Sequence, residues 1–181
     1  IDFADGRFKV TPIIIHPDRK KLLNDSLLMF FTGVSRFSSD IQKDTMSNQQ
    51  DKIAQLKEML SLVDDAQNIL QNKHSDMNDF GRLLNHTWEL KRKTGGKITN
   101  SAIDRLYERG IKAGALGGKL LGAGGGGFLL FYVEPDKKES VLRELDELMN
   151  VPFKFEDEGT TIVHYNPIVY IPRKELNLNF D

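Results

Sequence analysis

The stretch GGKLLGAGGGGFLLFYV, residues 117–133, sets four consecutive glycines directly against a run of large apolar residues. Glycine loses more backbone entropy on ordering than any other residue, so a cluster beside a strand is costly unless positive φ or close backbone approach is required. The fragment GAGGGG, 122–127, satisfies the letters G-x-G-x-x-G. A dinucleotide site, however, needs that pattern to follow a strand and open a helix, and here a strand follows it. The P-loop pattern fails as well, because Gly118-Lys119 is followed by Leu120 where Ser or Thr is needed and the upstream glycine is replaced by Ala113. What remains is generic: successive N–H groups in a turn form a concave nest that holds an anion or lets another segment come close. On the residues alone, a tight hairpin or bulge and a phosphate-facing loop both stay open.

Downstream of this stretch, Pro135-Asp136-x-x-Glu139 has capping-box spacing and predicts a helix through Met149 that packs through Val141, Leu145 and Leu148. Residues 153–156 and 161–165 read as strands joined by a turn at 157–159, before a Pro-punctuated tail. Upstream, Asn100 is placed to cap a helix carrying Ile103, Leu106 and Tyr107, which Gly110 and Gly114 weaken near its end. Ser75 or Asp76 can cap another through Lys93, with Met77, Phe80, Leu84 and Trp88 on its inner stripe and Gly95-Gly96 as its stop. Residues 39–72 hold no Pro or Gly, and Ile53, Leu56, Leu60, Val63 and Leu70 recur at mostly three- and four-residue steps. That periodicity predicts one long amphipathic helix, kinked near Asn48. Before it, residues 27–32 read as a buried strand ending at Gly33, preceded by a short helix from Pro17-Asp18 and by two strand-like pieces around the turn signal Asp5-Gly6. This order predicts an α+β domain, a mostly antiparallel sheet with helices packed on one face.

Composition bounds the function. The 181 residues are 39% hydrophobic and 28% charged, with Lys+Arg 25 against Asp+Glu 26, so no basic excess points to nucleic acid. The absence of cysteine excludes disulfides, thiolate metal sites and a Cys nucleophile, and suits a cytoplasmic protein. The longest apolar runs, 27–31 and 128–133, are far short of the roughly 20 residues of a membrane helix. The histidines at 16, 74, 86 and 164 have no metal-ligand spacing, and no carboxylate pair stands out for acid/base work. Ile1 already reads as mid-strand, from which we expect the chain to be the later part of a longer polypeptide.

The segment KLLGAGGGG, 119–127, resembles the third motif of the GHMP kinases, the family of galacto-, homoserine, mevalonate and phosphomevalonate kinases. Together with IDFADG at the start, LLMFFTGVSRFSSDI (27–41), LLNHTWELKRK (83–93) and the whole of 98–133, it is similar to the carboxy-terminal half of bacterial heptose 7-phosphate kinases. The resemblance covers nearly the whole chain. It implies a ferredoxin-like C-terminal domain over 1–181, with a short piece of the preceding domain at 1–16. The implied activity is ATP-dependent, with magnesium: the γ-phosphoryl group passes to a sugar phosphate, for the heptose enzyme to its anomeric hydroxyl. The implied nucleotide contacts are Gly122, Ala123, Gly124, Gly125 and Gly126, where side chains would occupy space the phosphates need. The implied substrate contacts are Thr32, Gly33, Ser35 and Arg36, with Arg36 clamping the remote phosphate unless it is a plain surface arginine. Lys119 is either a phosphate-screening ammonium or a solvated strand residue.

The resemblance gives no catalytic residue and no metal ligand to these positions. The family's ATP loop, amino-terminal substrate motif and catalytic aspartate lie upstream, in a domain that is the expected partner, and the chain alone is expected to be inactive. Two other readings stand beside this one: an L-fucose kinase or other GHMP sugar kinase, and a non-enzymatic α+β binding or dimerisation module. An exposed apolar face would favour a homodimer in either case.

Overall fold

The computed structural model describes residues 1–33, 49–95, 98–122, 126–157, 161, 162 and 164. At the start, β1 (Asp2–Ala4) and β2 (Arg7–Lys9) pair antiparallel around Asp5 and Gly6, both at positive φ as a two-residue hairpin turn requires. Pro17 opens α1 (Pro17–Asp25), where the His16 side chain accepts the Asp18 N–H. Then follow β3 (Leu27–Phe31), α2 (Gln49–Gln71), α3 (Asn78–Lys93), α4 (Ser101–Lys112), β4 (Ala115–Leu121), β5 (Phe128–Val133), a 3₁₀ turn (Pro135–Lys137), α5 (Lys138–Glu144) and β6 (Met149–Asn150).

The last four strands form one sheet in the order β4-β5-β3-β6, with every neighbouring pair antiparallel. The first and third strands of a β-α-β-β-α-β run thus lie side by side at its centre, the ferredoxin-like arrangement expected above. Alternate residues of the strands separate two cores. Leu28 and Phe30 of β3 with Leu129, Phe131 and Val133 of β5 meet Trp88, Ile103, Tyr107, Val141 and Leu145 from the helices. Residues of the other parity, Leu27 and Tyr132, meet Leu23 of α1, Met77 just before α3 and Leu84 within it in a smaller cluster.

The sequence reading runs the glycine-rich stretch from a helix into Phe128, but it contains a strand of its own, β4. Two glycines are tolerated there because other backbone lies against them. A Cβ on Gly117 would fall 2.0 Å from the Gly81 carbonyl oxygen of α3, and one on Gly118 2.6 Å from the Leu130 carbonyl oxygen. Gly110 lies within α4, which continues to Lys112; it is buried, and a Cβ there would fall 2.6 Å from the Phe131 ring.

Asn100 caps α4 as expected, its Oδ1 accepting the Ala102 and Ile103 N–H groups at 3.0 Å each. Asp76 accepts the Asn78 N–H at the start of α3. The helix expected through Met149 instead stops at Glu144, without a side-chain cap at its start, and Met149–Asn150 pairs with the end of β3. Residues 153–156 are not a strand, since Phe153 packs into the smaller core and the Phe155 N–H goes to Asn24 Oδ1 and not to a ladder. Of the strand expected at 161–165, residues 161, 162 and 164 are outside any strand and the others lie outside the described residues. Helix α2 runs unbroken over its described length, while the expected kink at Asn48 lies outside it. Its stripe of Ile53, Leu56, Leu60 and Val63 is exposed, not buried.

Candidate functional site

The site is assembled where β3 ends and β5 begins. Because β3 and β5 pair with Phe31 opposite Phe128, the residue after β3 falls beside the residue before β5. These are Thr32 and Gly127. The Thr32 N–H donates to the Gly127 carbonyl at 2.9 Å, and the buried Thr32 hydroxyl donates to the same carbonyl at 2.9 Å. That hydroxyl also accepts the Gly127 N–H at 3.1 Å. Sequence reasoning placed Thr32 as a hydroxyl partner of substrate; its hydroxyl proton is directed at Gly127.

At the other end of the loop, β4 delivers Gly122 after Leu121. Lys91, in the last turn of α3, donates from Nζ to the Gly122 carbonyl at 3.2 Å. Burial, and secondarily the nearby Lys119 ammonium, push the Lys91 pKa below the ordinary lysine value. Two cations from different elements therefore share one end of the sheet with a strand-loop-strand turn.

Three glycines frame this place in the left-handed region: Gly33 at φ 73°, Gly122 at 92° and Gly127 at 109°. A Cβ on Gly33 or Gly122 would meet nothing within 4 Å among the described residues, and it is the positive φ that calls for glycine at both. The structure thus brings together Thr32, Gly33, Gly122 and Gly126 of the expected contacts. Ala123, Gly124 and Gly125 of the nucleotide set, and Ser35 and Arg36 of the substrate set, lie outside the described residues. Gly127 and Lys91 were missed. Gly127 was signalled only as the last letter of the glycine run, and Lys91 only as the first of three basic residues at a helix end.

A lysine ammonium beside main chain at positive φ is suited to an anion. A metal ion finds less here: among the described residues no group of three or more His, Asp or Glu side chains could hold one. No helix among them is long and apolar enough to cross a membrane.

The family model described as GHMP kinases C terminal matches residues 59–151, from within α2 to just past β6. The chain belongs to the GHMP kinase family. Among GHMP kinases it is 28% identical over 87% of its length to the D-glycero-alpha-D-manno-heptose 7-phosphate kinase of Campylobacter jejuni, covering 47% of that protein. It is 30% identical over 71% of its length to the L-fucokinase/L-fucose-1-P guanylyltransferase of Bacteroides fragilis, covering 13% of it. The crystal structure of mevalonate kinase from Methanococcus jannaschii superposes with a TM-score of 0.61 at 25% identity, over 75% of this chain and 42% of that one. The chain spans about half the length of the heptose kinase. Both the family and the ferredoxin-like GHMP kinase C-terminal fold expected from the motifs are borne out.

Proposed function

We propose that this chain is the C-terminal part of an ATP-dependent sugar kinase that phosphorylates the anomeric hydroxyl of heptose 7-phosphate. One observation carries the reading: Thr32 after β3 bonds Gly127 and Lys91 bonds Gly122, in a chain 28% identical to a heptose 7-phosphate kinase over 87% of its length. Phosphoryl transfer of this kind asks for little covalent work from the protein; positioning and electrostatic stabilisation dominate.

In this reading Gly122, Ala123, Gly124, Gly125 and Gly126 face the nucleotide phosphates, leaving room that any side chain would take. Gly33, Ser35 and Arg36 face the sugar phosphate, with Thr32 between the two. Arg36 takes the remote phosphate because a guanidinium offers a planar pair of donors that an ammonium lacks. Magnesium, when bound with ATP, supplies charge neutralisation on the phosphates. Its ligands, the main phosphate cradle and the catalytic base belong to a preceding domain of the same cytoplasmic polypeptide. The β1–β2 hairpin, exposed along both strands, is the piece of that domain carried at residues 1–16.

The 30% identity to a fucokinase supports L-fucose as the competing acceptor. The test is phosphorylation by the full-length protein with ATP and magnesium, offering heptose 7-phosphate, L-fucose and mevalonate in parallel. Turnover on heptose 7-phosphate is expected, together with none by the 181-residue chain alone. Preference for L-fucose would move the assignment to the competing sugar. No transfer to any acceptor would overturn the kinase reading.

A further inference from the structure

We propose that Thr32 and Lys91 are positioning residues for phosphoryl transfer that clamp Gly127 and Gly122, the glycines just before β5 and just after β4. The inference rests on the kinase reading for its functional half and on hydrogen bonds alone for its structural half. At the C-terminal end of the loop Gly127 is held through both of its backbone polar groups by one residue: its carbonyl receives the Thr32 N–H and hydroxyl, and its N–H is received by that hydroxyl. At the N-terminal end the Gly122 carbonyl receives the Lys91 ammonium. The two anchors come from places far apart in the chain, the residue after β3 and the last turn of α3, so Gly127 is fixed to the sheet and Gly122 to a helix.

The Thr32 N–H bond is main-chain and any residue would keep it, whereas the two hydroxyl bonds and the Lys91 bond depend on side chains. The strand pairing of β3 with β5 ends at Phe31 and Phe128, so beyond it the loop is carried by Thr32. Glycine residues at positive φ have wide conformational freedom in the absence of such contacts, and a Cβ on Gly122 would meet nothing within 4 Å among the described residues. Serine can reproduce the Thr32 hydroxyl bonds and valine cannot, although valine matches threonine in shape. The Lys91 stem is partly buried, so arginine or methionine there alters the anchor without opening a large cavity. Burial of that lysine also fits a group fixed in place more than one sweeping through solvent.

Hydrogen exchange and kinetics on the full-length protein test the clamp together. In Thr32→Val the Gly127 amide should exchange about tenfold faster than in wild type, the scale of one lost hydrogen bond, while Thr32→Ser stays near wild type. Phosphoryl transfer by Thr32→Val and by Lys91→Met should fall in kcat by about tenfold to a hundredfold, with KM for ATP changed less than about threefold, and Thr32→Ser should restore kcat. Wild-type exchange at Gly127 in Thr32→Val, or equal loss in Thr32→Ser, would overturn the clamp. So would altered exchange with unchanged kcat in an active enzyme, because the loop would then be anchored without consequence for transfer. If wild-type protein transfers phosphate to no acceptor, the kinase reading fails separately, and the exchange measurement still decides whether Thr32 holds the loop.

Discussion

Alanine at Gly117 would carry a Cβ to within 2.0 Å of the Gly81 carbonyl and 2.7 Å of the Asn85 nitrogen, both backbone atoms of α3 that cannot swing aside. Overpacking of this kind costs about 1–3 kcal/mol or more, so Gly117→Ala should lower the melting temperature by roughly 2–4 °C per kcal/mol, measurable by calorimetry. Gly122→Ala meets no clash and carries only the strain of its positive φ, about 1–3 kcal/mol, so its distinguishing effect should be on transfer rate. The described glycines of the stretch therefore have different causes: Gly117 is needed because a helix lies on it, and Gly122 and Gly127 for backbone conformation. Sequence shows the letters but not the helix that approaches them. The value of Thr32 was visible as a hydroxyl at a strand end, whereas Lys91 was not, because its acceptor is a backbone carbonyl 31 positions away.

Among the elements, those with local signals were the legible ones. Asn100 marks the start of α4 by its own chemistry, and Asn100→Ala should cost about 1 kcal/mol by removing the acceptor for two helix N–H groups. By contrast α5 lacks a side-chain cap despite its capping-box spacing and ends early, where Leu145 leaves helical geometry while staying buried. The position of α5 against α4 is reinforced by Arg109, which bonds the carboxylates of Glu144 and Glu147. Hydrogen bonding from Arg109 holds the Glu147 carboxyl below its ordinary pKa. A carboxylate depressed in the folded state stabilises above its unfolded pKa, about 4.3, and that contribution is lost as pH falls through the lower folded value. The pair is exposed, so the expected effect is small: between pH 5 and pH 3 the melting temperature of Arg109→Met should fall less steeply than that of wild type, by no more than roughly a few degrees. Equal slopes would show that the contact contributes nothing.

At the scale of the molecule, the α+β fold class and the family were legible, the first from the order of strand and helix patterns and the second from the glycine motif with its flanking segments. The exposed apolar surfaces were not, since periodicity marks a face without saying what covers it. Phe3 and Phe8 of the hairpin are 79% and 69% exposed, and the α2 stripe reaches 70% at Leu60. Surface of this kind drives association, so the 181-residue chain alone should self-associate with rising concentration in light scattering, and Phe3→Glu with Phe8→Glu should reduce it. A concentration-independent monomer would remove the hairpin from the list of interfaces. Whether phosphate needs bare main chain at Gly124 and Gly125 decides the proposed function most directly. Its measurement is the turnover and ATP affinity of the full-length protein with valine at both Gly124 and Gly125. The account predicts transfer reduced at least about a hundredfold and weakened ATP binding, with the melting temperature close to wild type; unchanged turnover and ATP affinity would contradict it.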